Sequence, residues 1–304
     1  MIEARGLGCR YGPRLALDGV SFAVSRREIV ALLGPNGAGK TTTLRILAGL
    51  IAPTTGSVVI DGVELTRSTG SALRSRIGLL TETPGLWDRL TVRENLRTYA
   101  RLYGLAHPDR VVDSSIDALG LAEHASARAA ELSKGLRQKV AFARSLLHDP
   151  SVLLLDEPTS GLDPEVTRSV RHMLEERRSN GCAILVSTHN LDEAERLADR
   201  VAVLHTRLLA IDRPATLRQR LTTGRIIVRV AGDPAAGFDT ARRIDPHASI
   251  EGGALILTLK RPEDETPALV RALVSARLDI VEIRSEVPAL EDVYLRLMED
   301  RTQS

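Results

Sequence analysis

The chain has 304 residues, 43% of them hydrophobic and 26% charged, a balance that fits one large α/β domain with a small second one and excludes a disordered or fibrous chain. The formal net charge of +2 gives no bulk electrostatic case for nucleic acid as a partner. No apolar run approaches the ~20 residues of a membrane-spanning helix, and MIEARGLGCRYG is not a basic-then-apolar leader, so the expectation is a cytoplasmic protein that reaches a membrane only through a partner.

Apolar runs and helical patterns alternate to about residue 212, the mark of an α/β domain with a mixed sheet. Residues 20–24 and 29–33 read as strands, and the second runs into a Gly-rich loop and a helix over 41–50. A short strand at 57–60 precedes the turn Asp61-Gly62, and another follows at 77–80. Helical spacing marks 91–102, 109–119 and 133–147, the last stopped near Pro150. A buried-strand run at 152–155 leads to a helix over 165–178. Strand 183–187, helix 191–197 and strand 201–204 complete the unit. Cys9 and Cys182 have no metal-ligand spacing and read as small buried residues.

The composition changes after Pro214. A connecting helix over 215–221 ends at Thr222-Thr223-Gly224. Beyond it come strand 226–230, a helix near 235–243, strands near 248–251 and 254–259, helix 265–276 and strand 280–284. A final helix over 289–299 puts Leu290, Val293, Tyr294 and Leu297 on one face. The order suggests a small α+β unit of ferredoxin-like type. The domain reading is therefore 1–213, with a helical subdomain at about 83–150, then a linker over 214–224 and a second domain over 225–304.

The chemistry concentrates in a few short segments. Gly34-Pro35-Asn36-Gly37-Ala38-Gly39-Lys40-Thr41 matches the Walker A phosphate loop and sits between a strand and a helix, as that loop must. Backbone N–H groups have to turn inward around phosphates, and glycine permits both the dihedrals and the close approach. Lys40 is expected on the β- and γ-phosphates and the Thr41 hydroxyl on Mg²⁺. The apolar run 152–155 ends in Asp156-Glu157, a strand end that can hold Mg²⁺ and orient an attacking water. His189 follows the strand 183–187, one strand further on, and is a candidate contact for the γ-phosphate. Ser133 and Gly135 open a long helix and form a second anion site. One chain has no use for two such sites in one pocket, but a head-to-tail partner would.

These residues resemble, in order, the nucleotide-binding subunit of an ABC transporter, over about residues 1–212. The resemblance implies an α/β P-loop NTPase fold with mixed sheet and helical subdomain, ATP and Mg²⁺ as ligands, and ATP hydrolysis. It places Tyr11 against adenine and makes the segment from Gly34 through Pro35, Asn36, Gly37, Ala38, Gly39 and Lys40 to Thr41 and Thr42 the Walker A element. Glu82 falls at the Q-loop, 132–138 at the signature, Asp156-Glu157 at Walker B, Ser160-Gly161-Leu162-Asp163 at the D-loop and His189 at the switch histidine. The implied catalytic residues are Glu157, His189 and Lys40, the metal contacts Thr41, Glu82 and Asp156, and the trans contacts Ser133 and Gly135. Glu82 stands where the family has Gln, and Lys134 and Leu136 replace Gly and Gln in the signature; Lys134 is expected to face solvent. The run Pro84-Gly85-Leu86-Trp87-Asp88-Arg89-Leu90-Thr91-Val92 and the C-terminal unit resemble the ABC-2-type exporter branch. Leu86 and Trp87 either contact a permease or pack inside the helical subdomain. Implied partners are a second copy of the chain and integral-membrane permease subunits, with no nucleic acid, at the cytoplasmic face of the cell membrane. An importer ATPase, a soluble ABC ATPase and a catalytically dead regulatory subunit are the competing readings.

Overall fold

The computed structural model describes residues 1–220, 224–286 and 289–302, so the turn expected at Thr222-Thr223 lies outside the described residues. The chain divides into two compact units, Met1–Pro214 and Ala215–Ser304. In chain order the first contains β1 (Ile2–Tyr11), β2 (Arg14–Val24), β3 (Glu28–Leu33), α1 (Lys40–Leu47), β4 (Thr55–Ile60), β5 (Val63–Glu64), α2 (Gly70–Arg74) and β6 (Ile77–Leu80). It continues with α3 (Val92–Leu102), α4 (Pro108–Ala118), α5 (Lys134–Leu146), β7 (Val152–Asp156), α6 (Pro164–Ser179), β8 (Ala183–Thr188), α7 (Leu191–Leu197), β9 (Arg200–His205) and β10 (Arg207–Asp212). A helix α8 (Pro214–Arg220) follows.

A six-stranded mixed sheet runs β10-β9-β3-β8-β7-β6. Its strands pair in parallel except for the β9–β10 edge. Parallel strands covered on both faces need continuous apolar runs, and β7 and β8 are buried at every position. Alternate residues serve two cores. Val30, Leu32, Val152 and Leu154 join α1 and an antiparallel sheet ordered β2-β1-β4-β5. Ile29, Leu153, Leu155 and Ile184 join the helices α3 to α6. Each fully buried aliphatic side chain contributes roughly 1.5–3 kcal/mol.

The helical part is fastened at the start of α3. Thr91 and Glu94 form a reciprocal capping box. The Thr91 backbone N–H and then its hydroxyl hold the Glu94 carboxyl below its ordinary value. Asn95, fully buried, accepts from the Trp87 N–H at 2.8 Å and donates to the carbonyls of Trp87, Leu90 and Thr91. Leu86 packs on the helical core, and Trp87 stacks on Tyr99 with centroids 4.8 Å apart while staying 43% exposed. The two apolar side chains thus divide between the alternatives, Leu86 inward and Trp87 partly outward.

The second unit holds β11 (Arg225–Val230), α9 (Phe238–Ile244), β12 (Ser249–Glu251), β13 (Ala254–Thr258), α10 (Pro262–Ser275), β14 (Ile280–Ser285) and α11 (Leu290–Thr302). Its antiparallel sheet runs β12-β13-β11-β14. Counted within the unit this is the 4-1-3-2 order of a βαββαβ ferredoxin-like fold. Leu255, Leu257, Val228, Leu269 and Leu273 form its core. Strands β1, β5 and β10 and helix α2 are additions to what the residue pattern indicated.

Candidate active site

The C-terminal ends of the parallel strands open onto a cleft of about 320 Å³. Loops leaving parallel strands at that end are where α/β sheets place ligands. Leu33 ends β3, and the loop from Gly34 carries the chain to Gly39, the N-cap of α1. Two of its glycines are required by space. A Cβ on Gly34 would lie 2.3 Å from the Leu204 carbonyl oxygen, and one on Gly39, whose φ is +103°, would lie 2.5 Å from Leu17 Cδ2. No side chain caps α1 and no acid sits in its first turn, so its leading N–H groups are available to an anion. Lys40 is buried, and its Nζ donates to the Gly34 carbonyl at 2.6 Å and the Pro35 carbonyl at 3.3 Å.

Asp156 ends β7, buried, and accepts a hydrogen bond from the Ser187 hydroxyl of β8. The next residue turns sharply. Glu157 has φ +49°, an uncommon state for a non-glycine residue. Its N–H is held by Ser187, through the carbonyl at 3.1 Å and the hydroxyl at 3.2 Å. The turn aims its carboxylate back over the loop. Oε1 lies 3.7 Å from Lys40 Nζ, and Oε2 lies 2.9 Å from Nδ1 of His189. An ionised carboxylate only accepts, so Nδ1 carries the hydrogen of that bond. His189 is placed by β8 and by Asn190, which caps α7 through Glu193 N–H at 3.1 Å.

Of the residues singled out from the sequence, Tyr11, Pro35, Asn36, Gly37, Gly39, Lys40, Thr41, Thr42, Glu82, Asp156, Glu157 and His189 line this one cleft. Gly34 supports it through its carbonyl, and Ala38 is buried behind the loop. Thr41, Glu82 and Asp156 also share a neighbouring cavity of about 220 Å³. Ser133 and Gly135 are not among the lining residues. Ser133 is exposed, caps α5 through the Leu136 N–H at 3.3 Å, and has no acid in the turn it opens. Lys134 is exposed as expected. Ser160, the first residue of the expected D-loop, lines it too, and Arg14 and Ala16 line the cleft in addition. Only strand register could have found Arg14, which stands opposite Tyr11 across a hairpin. Gln138 ties α5 to the segment after Walker B by donating to the Pro158 carbonyl at 3.0 Å.

Fold and site together define a P-loop nucleoside triphosphatase. A family model described as ABC transporter matches residues 17–160. Nod factor export ATP-binding protein I of Burkholderia lata is 36% identical over 302 residues, covering 97% of this chain and 96% of that protein. The ABC transporter ATP-binding protein YhcH of Bacillus subtilis is 33% identical, covering 98% and 95%. Among solved structures, an ATP binding subunit of an ABC transporter superposes with TM-score 0.67 and 34% identity over 72% of this chain and 92% of that one. A dimeric bacterial ABC transporter cassette gives TM-score 0.64 and 27% identity over 70% and 98%. The chain belongs to the ATP-binding proteins of the ABC transporter family, and it binds and hydrolyses ATP.

Proposed function

We propose that this chain is the ATP-driven motor of an exporter, working as a head-to-tail pair against a separate membrane permease. One observation carries the reading: Lys40, Glu157 and His189 converge in the cleft, while Ser133 and Gly135 lie outside its lining. A second copy supplies what the first lacks. Lys40 then binds the β- and γ-phosphates, Glu157 takes the proton of the attacking water, and His189 holds Glu157 in place. Ser133 and Gly135 of the partner cover the γ-phosphate. Tyr11 stacks on the adenine. ATP closes the pair because the trans contacts exist only in the closed state.

Thr41, Glu82 and Asp156 present a hydroxyl and two carboxylates, the hard oxygen donors Mg²⁺ takes. No group of three His, Cys, Asp or Glu side chains forms a metal site among the described residues. That suits an ion completed by the phosphates of its nucleotide. Bound there, Mg²⁺ supplies charge neutralisation at the phosphoryl oxygens. No helix among the described residues is long and apolar enough to cross a membrane, so the reading assigns the passage to the permease and the chain to its cytoplasmic face. Relatives named for export that match 97% of the chain support that direction.

Two variants test this. Glu157→Gln is expected to keep ATP binding and to lower turnover by about 10²–10⁴-fold; wild-type turnover would remove Glu157 as the base. In that background Ser133→Arg is expected to abolish ATP-dependent dimerisation by light scattering, and a persisting dimer would refute capping in trans.

A further inference from the structure

We infer that Arg14 is a nucleotide-binding residue, its guanidinium supplying the cleft's unpaired cation to the phosphate chain of ATP. The inference rests on the reading of the cleft as the ATP site and adds a residue that lies outside every motif in the sequence.

The hairpin register brings it there. Strands β1 and β2 close at the pair Tyr11–Arg14, joined by Gly12 and Pro13, with Gly12 at φ +56°. Directly opposed residues of an antiparallel pair project from the same face. Tyr11 and Arg14 accordingly both line the cleft. Arg14 Nη2 lies 3.0 Å from where a Cβ on Gly37 would sit, so the guanidinium rests against the middle of the phosphate loop.

The charge balance shows why a cation is needed. The lining carries three carboxylates, Glu82, Asp156 and Glu157, against Arg14 and Lys40. Lys40 is already engaged by two backbone carbonyls and stands 3.7 Å from Glu157. A cleft with this formal excess of negative charge has to receive a polyanion. Arg14, the arginine among the described lining residues, makes no ion pair with any described residue, unlike Lys40. Its planar fork of N–H donors matches phosphate oxygens in pairs, and such charge-assisted bonds are the strong ones.

The test measures binding by the purified full-length chain in Mg²⁺, with fluorescent ATP and ADP analogues, for wild type, Arg14→Ala, Arg14→Lys and Lys40→Ala. Arg14→Ala is expected to weaken ATP binding about tenfold, and to flatten the loss of affinity with added salt, since one screened attraction is gone. Arg14→Lys is expected to restore the salt dependence and part of the affinity. Because Arg14 is exposed, circular dichroism and melting of the free protein should match wild type. Wild-type affinity in Arg14→Ala, with binding lost in Lys40→Ala, would overturn the role of Arg14 and leave the ATP site standing. Wild-type affinity in both would overturn the site itself.

Discussion

Glu157 shows how a single backbone angle decides which groups a carboxylate faces. In an extended conformation its side chain would continue the alternation of β7, on the face opposite Asp156. At φ +49° it faces both Lys40 and His189, and Ser187 holds the turn from the neighbouring strand. The sequence shows two adjacent carboxylates but not which of them turns. His148 offers a test at the same scale, away from the site. Its ring stacks on Tyr103 at 3.9 Å, its Nε2 donates to the Ile77 carbonyl at 3.0 Å, and its Nδ1 is buried without a partner among the described residues. Burial pushes its pKa below 6.5, outweighing the hydrogen bond to Ile77 and the charge of Asp149. The unfolded chain therefore takes up a proton at higher pH than the folded one. The contribution is complete above the unfolded value and is lost as pH falls from there through the folded one. Stability measured by urea unfolding should decline as pH drops from about 7 to about 5, and His148→Phe should make that decline shallower. An unchanged slope would remove His148 as its source.

At the scale of elements, the start of α3 is set by Thr91 but secured by Asn95. Replacing Asn95 with Leu keeps the volume but removes the acceptor of the Trp87 N–H and three side-chain bonds to carbonyls that keep their backbone donors. The expected cost is about 2–3 kcal/mol, against about 1 kcal/mol for Thr91→Ala, which removes only the cap. Denaturant unfolding with an unchanged m-value would measure both, and an Asn95→Leu effect no larger than that of Thr91→Ala would contradict the anchoring role. The contrast also explains what could be read beforehand. Thr91 followed by Glu94 is a local signal, visible as helical spacing, whereas the partners of Asn95 depend on how the preceding loop folds back. Strands followed the same division. The runs of β3, β7 and β8 stand out because both their faces are buried. Strand β1 is broken up by register shifts between Ala4 and Leu7 and again near Cys9, with Gly6 at φ +60°, so its alternation is lost. Strand β10 is an edge with no fully buried residue, although its run Leu208-Leu209-Ala210-Ile211 is apolar and open to a strand reading.

On the scale of the whole molecule, five separate segments between Tyr11 and His189 build one cleft, and every described lining residue belongs to the unit Met1–Pro214. The convergence of Gly34–Thr41, Asp156-Glu157 and His189 on one cleft was legible because each lies in a short stretch whose pattern is local. Arg14 was not, because only the pairing of β1 with β2 makes it a neighbour of Gly37. The confinement of the cleft to one unit leads to a direct expectation for the other. The second unit has its own sheet and its own core, with none of its described residues in the lining. A chain ending at Pro214 should therefore bind MgATP with an affinity within about threefold of the full chain, a difference below ~0.7 kcal/mol. Both should be stabilised alike by nucleotide, by about 2.7 kcal/mol at a free ATP concentration one hundred times Kd, because the ligand binds only the folded state. Thermal melts of the two forms with and without MgATP would measure the difference. A truncated chain that folds, by circular dichroism, yet gains no stability from MgATP would show that the second unit contributes to the nucleotide site after all. Equal stabilisation with lost transport in membranes would instead place the work of the second unit downstream of ATP binding.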